Sequence, residues 1–372
     1  MWGISRMPVS VCFVGFVSIA MEAMRNRYLD LLRAIAIVRV VVYHSTGWVA
    51  LTIAFPAMSV MFALAGSLMA ASLDRSGPMA VERRLRRLLP SLWAMSAIAV
   101  PAMLLTGLAW DWKILYWAFP VQDPPANGWG SMALSATWYL RDFLWFVLLS
   151  PLALPVFRRL PRLAIATPYA ALVVITLFGL TPHAIVRDMA LYGGAWLLGF
   201  AHHDGMLRRL TRRRLAGWAA GLATLGAAWV LTHPGARGYD LNDIPLGNAL
   251  WSAAFILVAL GLAPAVSTTR PSRLVTVLNA RALTIYLWHV PIIVAVTRIG
   301  EAHGLPVRGA AGIGWRFGVI VALVAVAVAL FGWVEDFAAG RRPALVPGAR
   351  RRRPVAAPVS PAVGQIAETV HT

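Results

Sequence analysis

Apolar windows of membrane-spanning length follow one another through almost the whole chain, and every second gap between them is crowded with arginine. The hydrocarbon core of a bilayer is crossed by roughly 20 helical residues. Ten windows meet that measure approximately, at 31–50, 53–73, 88–107, 136–156, 163–181, 184–201, 214–232, 247–265, 277–297 and 314–335. The sixth is short, and its boundary with the fifth rests on "TPHAIVRD", which leaves nine or eleven spans as alternatives. Only 13% of the residues are charged and 59% are hydrophobic, whereas a soluble domain is about 25% charged. The fold class expected is therefore all-α, a polytopic integral membrane protein with about ten transmembrane helices.

The formal charge of +19 does not point to nucleic acid, because the basic residues sit in short clusters between apolar runs. Assigning alternate loops to opposite sides puts 26 basic residues on one side and 7 on the other, with Arg39 counted on neither. Cytoplasmic loops carry the excess of Lys and Arg, so an even number of spans is expected, in the cell membrane, with both termini cytoplasmic. Residues 1–24 hold "VSVCFVGFVSIAM", too short for a clear span, and read as a leader or cytoplasmic segment; Met21 or Met24 are alternative starts. Residues 25–340 form the transmembrane unit. Residues 341–372, basic and then Pro- and Ala-rich, are expected to be a disordered cytoplasmic tail whose first residues can hold anionic lipid, with no room for a second domain. A single cysteine, Cys12, excludes a disulfide framework and a cysteine-ligated metal. The Trp-rich connection 109–136 reads either as interfacial anchoring or as a lid.

Charged groups inside hydrocarbon mark functional sites. In "RNRYLDLLRAIAIVRVVVYHSTGWVA", Arg33 and His44 are eleven positions apart. At about 100° per residue this is three turns and a further ~20°, so both lie on one face, about 16 Å apart along the axis. Asp30, three positions before Arg33, is placed to partner it. Arg39 lies about 120° from that face. It is expected to pair with another helix or contact a polar channel, and to matter for stability more than for turnover. A histidine at this depth suits a general base, since the neutral imidazole accepts a proton; a buried structural histidine is the competing reading.

In "VERRLRRLLPSLW", Arg84 and Arg87 share a helix face ahead of Pro90. They make either a clamp for phosphate oxygens or simple inside-positive anchoring. Further polar candidates are Tyr286 and His289 in "ALTIYLWHVPII", Trp138, Tyr139, Arg141 and Asp142 in "ATWYLRDFLW", and Glu335 beside Asp336 in "FGWVEDF". The bland readings of these three groups are a hydrogen-bonded pair, an aromatic belt and charge balance against cytoplasmic arginines. No metal site is expected. The motifs of P-loop ATPases, HExxH zinc proteases and GxSxG hydrolases are absent.

Together, "YLDLLRAIAIVRVVVYH", "MFALAGSLMA", "RRLRRLLPSLW", "TWYLRDFLWFVLLSPL" and "LTIYLWHVPI" resemble membrane-bound acyltransferase family 3, the O-acyltransferases of sugars, cell-envelope glycans and some antibiotics, over roughly residues 25–340. The family's arginine and histidine separated by ten residues match Arg33 and His44. Its arginine pair before a proline matches Arg84 and Arg87, its late tyrosine and histidine match Tyr286 and His289, and its near-terminal glutamate matches Glu335. One departure is Phe143, where many relatives have a glutamate five residues after the tryptophan matching Trp138.

The resemblance implies transfer of an acyl group, commonly acetyl, from acyl-CoA to a hydroxyl, with acyl-CoA as a donor substrate and no permanently bound cofactor. His44 is then the base, Arg33 and Asp30 assist it, and Arg84 and Arg87 hold the donor. Direct transfer and an acyl relay both remain open. A transporter or flippase of a lipid-linked sugar, with the same polar residues lining its path, is the alternative.

Overall fold

A computed structural model describes residues 9–262, 272–344 and 347, with side chains from residue 27 onward. Its helices are α1 Val9–Thr46, α2 Ala50–Ala54, α3 Ala57–Ser76, α4 Met79–Leu105, α5 Gly128–Ala133, α6 Trp138–Arg159 and α7 Pro161–Leu177. They continue as α8 Ala184–His203, α9 Met206–Arg209, α10 Arg212–Thr232, α11 Pro245–Gly261, α12 Arg273–Ala280, α13 Ala282–Ala302 and α14 Gly309–Ala338. Among the described residues there is no strand, only an isolated bridge between Gly235 and Gly238.

Each of the ten apolar windows falls on a helix, but the ends differ from those expected. Helix α1 runs back to Val9, so the backbone of the apolar run before Arg25 is continuous with the helix that carries Arg33 and His44. Helix α4 begins at Met79, not 88, because the arginine-rich stretch is a good helix former although too charged for a hydropathy window. The ninth window starts late, at Ala282, since the short α12 takes the preceding residues. Six stretches are long and apolar enough to cross a membrane: Ala50–Ser76, Met79–Leu105, Ser135–Arg159, Arg212–Thr232, Ala282–Ala302 and Gly309–Ala338. Two further apolar helices, α7 and α11, are shorter. The remaining two, α1 and α8, carry Asp30, Arg33 and Arg39, and Arg187 and Asp188, within their lengths. The predicted tail beyond the described residues lies outside this description.

Lipid tails are as apolar as leucine, so membrane helices associate through close packing at small residues. The tightest such contact joins α3 and α8. A methyl group on Gly199 would collide with the carbonyl of Ala63 and lie 2.7 Å from the nitrogen of Ser67, and one on Gly66 would collide with the carbonyl of Trp196. An aromatic cluster locks the same interface, with Phe62 against Tyr192 at 4.8 Å between ring centroids and Phe146 stacked on Trp196 at 5.0 Å. Helix α3 turns into α4 within two residues because Gly77 takes a left-handed φ of +54°.

Helix α1 threads the interior. Leu29, Leu32, Ala36 and Val40 belong to the main core, while Ile37 packs in a second cluster with Ile285, Val296, Ile320 and Val324 of α13 and α14. Both sides of α1 therefore face protein. The Trp-rich connection is an ordered cap: Trp117 is buried, its indole donates to the carbonyl of Pro125, and Trp145 donates to that of Val121. This fixes Asp123 above the helices.

Replacing Gly199 with leucine forces two backbones apart. Thermal unfolding in detergent should show a loss of at least the ~1–3 kcal/mol typical of overpacking, with Gly199→Ala intermediate; an unchanged Tm for the leucine variant would contradict this contact.

Candidate active site

Two cavities open between the helices and meet at one side chain. The larger, about 610 Å³, is lined by Arg39, Tyr43 and His44 of α1, Trp138 and Arg141 of α6, Arg187, Asp188 and Tyr192 of α8, Asp123 of the cap, and Arg237 and Asp243 of the loop before α11. The smaller, about 210 Å³, is lined by Arg33, Arg84, Arg87, Tyr139, Phe143 and Asn279 among others. Tyr286 lines both. Its hydroxyl donates to the carbonyl of Ala136 at 2.9 Å, which ties α13 to the cap segment.

At this junction His44 meets His289. Nδ1 of His289 is 2.6 Å from the carbonyl of Tyr286, so it carries the hydrogen and leaves Nε2 as an acceptor. That Nε2 lies 3.2 Å from Nδ1 of His44, which is also 2.9 Å from the carbonyl of Val40. Facing two acceptors, Nδ1 of His44 is the N–H, and the lone pair of the neutral ring sits on Nε2. His289 is 0% exposed, whereas His44 is open to the larger cavity. An imidazole fixed in one tautomer with its basic nitrogen toward a cavity can take a proton from whatever occupies it.

The two groups that α1 was expected to align do face the interior, but they serve different cavities: Arg33 the smaller, His44 the larger. Asp30 does not pair with Arg33. Its side chain is exposed, and its backbone carbonyl accepts from Nδ2 of Asn279 at 2.7 Å. No ion pair among the described residues involves Arg33, Arg84 or Arg87. Among the described residues Arg84 donates to the hydroxyl of Ser72, at 3.3 Å. Three guanidinium groups without carboxylates around one cavity form a concentrated positive field suited to phosphate oxygens.

Trp138, Tyr139, Arg141 and Asp142 are interior groups and not an aromatic belt at the lipid interface. Arg141, 2% exposed, donates to Asp123 at 2.5 Å, Asp142 at 2.8 Å and Asp188 at 2.5 Å. Asp188 also receives Nε of Arg187 at 3.0 Å. Trp138 stacks on Tyr192 with centroids 5.5 Å apart, presenting a flat apolar wall. Phe143 fills the position of the family's glutamate and packs against Tyr139 and the edge of Trp196, so no carboxylate enters the smaller cavity there.

Glu335 lines neither cavity. It accepts from the backbone N–H and hydroxyl of Thr284 at 2.8 and 2.5 Å, closing off the first turn of α13, whose N–H groups have no partner within the helix. The expected meeting with arginines belongs to its neighbour: Asp336 pairs with Arg281 at 2.6 Å and Arg341 at 3.1 Å.

Several cavity residues had no counterpart among the sequence candidates: Tyr43, Asp123, Asp188, Tyr192 and Arg237. The available signal was the Arg187–Asp188 pair, charges of opposite sign at the head of an apolar window. On the opposite wall the hydroxyl of Tyr43 donates to Asp240 at 2.5 Å and accepts from Arg237 at 2.7 Å. Arg237 in turn grips Asp243 with bonds of 2.6 and 3.0 Å, which holds that loop carboxyl below its usual range.

The site is a helical bundle with two arginine-lined cavities sharing Tyr286 and an imidazole pair at the larger of them. The chain matches the family model described as an acyltransferase domain over residues 26–333 and belongs to acyltransferase family 3, so it is an acyltransferase of the membrane-bound type. Comparison with the curated proteins and with the solved structures returns no match.

Removing one partner of a buried ion network strands the others. Arg141→Ala should therefore cost about 3–5 kcal/mol, read as a lowered Tm in detergent, with Arg141→Lys recovering only part because it loses the fork. Full stability in the alanine variant would mean that cavity water alone satisfies the three carboxylates.

Proposed function

We propose that this acyltransferase transfers an acyl group, acetyl in the first instance, from a coenzyme A thioester to a hydroxyl of a sugar, cell-envelope glycan or related small molecule. The observation that carries this reading is the meeting of the two cavities at Tyr286, beside the His44 imidazole. The donor enters the smaller cavity, where Arg33, Arg84 and Arg87 hold its phosphates. The acceptor occupies the larger one, against the flat wall of Trp138 and Tyr192, with Asp123 and Asp188 accepting hydroxyl protons. The molecule sits in the cell membrane, crossing it ten times with both termini cytoplasmic, which places the smaller cavity toward the cytoplasm.

In direct transfer, Nε2 of His44 takes the proton of the acceptor hydroxyl as its oxygen bonds to the thioester carbon. The C–S bond then breaks, and the thiolate recovers the proton from His44. His289 orients the base without touching substrate, and Tyr286 flanks the passage through which the thioester reaches the acceptor. Arg33 thus serves donor placement, and Asp30 has no part in the chemistry. No metal or resident cofactor is needed, and lipid is the surrounding partner.

Labelled acetyl-CoA, which does not cross membranes, is supplied to inside-out and to right-side-out vesicles containing envelope acceptor. Label should appear on acceptor only in the inside-out preparation. His44→Ala should lower the rate per folded molecule by about 10²-fold or more. Near wild-type turnover in that variant would remove His44 from the mechanism, and transfer from the opposite face would invert the orientation.

Donor binding is checked separately by equilibrium dialysis of acetyl-CoA. Arg84→Ala and Arg87→Ala should each weaken it by about tenfold or more, the scale of a lost charge-assisted hydrogen bond of ~1.5–3 kcal/mol. Unchanged affinity in both would return these residues to anchoring the helix.

A further inference from the structure

Of the four arginines lining the larger cavity, three are bonded to carboxylates: Arg141, Arg187 and Arg237. Arg39 is not. It is 8% exposed, and its described hydrogen bond runs from Nε to the carbonyl of Leu51, at 3.0 Å. Its terminal nitrogens form no hydrogen bond among the described residues. The side chain lines both the larger cavity and a small recess beside it.

The nearby acids do not bond it, although Asp240 attracts it through space. Asp240 is taken up by the hydroxyl of Tyr43 and the backbone N–H of Asn242, and Asp243 by Arg237. The guanidinium carbon instead lies 4.9 Å from the centroid of the Tyr43 ring, and that ring meets the His44 imidazole edge-on at 5.2 Å. Arg39, Tyr43 and His44 thus form one ladder along the cavity wall. A guanidinium at a cavity wall whose terminal nitrogens are bonded to no carboxylate keeps donors free for an anion that is present only at some stage of the working cycle.

We infer that Arg39 stabilises the oxyanion formed on the thioester carbonyl during acyl transfer. The inference rests on the acyl-transfer reading above. As the acceptor oxygen bonds to the carbonyl carbon, the C=O π pair moves onto oxygen and rests against the terminal nitrogens of Arg39, while the hydroxyl proton passes to Nε2 of His44. The pair returns to reform C=O as the C–S bond breaks, and the departing sulfur takes the proton from His44. One negative charge appears and disappears, matching one unpaired guanidinium. Because the charge exists only in the transition state, the resting enzyme leaves Arg39 without a partner, and the interaction acts on the rate instead of on substrate affinity.

The test measures kcat and KM for acetyl-CoA and for envelope acceptor in Arg39→Gln, Arg39→Lys, and Arg39→Gln combined with His44→Ala, each normalised to monodisperse detergent-purified protein. Lysine keeps the charge and a donor, so it remains informative if the glutamine variant fails to fold. The glutamine variant should lose about 10²-fold or more in kcat with both KM values unchanged, the scale of one oxyanion donor. The lysine variant should keep more activity, and the double variant should fall little below His44→Ala alone. A kcat within a few-fold of wild type overturns the inference, as do losses that multiply in the double variant. A rise confined to the acceptor KM also overturns it and makes Arg39 an acceptor anchor. An inactive wild type fails the acyl-transfer reading itself and takes this inference with it, whereas an active wild type beside an unimpaired Arg39→Gln fails the inference alone.

Discussion

A guanidinium that cannot reach bulk water must find its counter-charges inside the protein, and Arg141 finds three, each on a different segment. Asp142 is its chain neighbour, Asp188 heads α8, and Asp123 comes from the cap. Arg141, Asp142 and Asp188 are buried, so each of these left alone would carry a desolvation penalty, whereas Asp123 stays exposed to the cavity. These bonds tie α6 to α8 and to the cap. The carbonyl of Ala136, just before α6, meets the Tyr286 hydroxyl at the residue the two cavities share.

The helices were legible because hydrophobicity at membrane length is a local property. Its boundaries failed where charge and helicity part company. The stretch from Met79 to Leu88 is helical yet rich in arginine, and the run before Arg25 is apolar yet too short by itself. The site was half legible. Arg33 and His44 stand out as polar groups in oily sequence, and their angular spacing shows that both face inward. Their separation into two cavities does not follow from that spacing, because the division is made by Tyr286, some 240 residues away in the chain.

The imidazole pair illustrates the same limit. Neither histidine announces the other, since the contact joins residues 245 positions apart. Asp30 is a milder case: it lies within electrostatic reach of Arg33, but a favourable helical spacing does not by itself close an ion pair. For Arg39 the angle read from the sequence was sound, but α1 packs against protein on more than one face, so leaving the Arg33 face does not mean leaving the interior.

Tyr286 carries a consequence of a different kind. Two hollows share Tyr286 as a common wall, one side chain giving lining to both. A rotation of that ring is therefore felt in both hollows at once, and neither can be reshaped at this point independently of the other. The hydrogen bond from Tyr286 to the carbonyl of Ala136 is what holds the common wall in place.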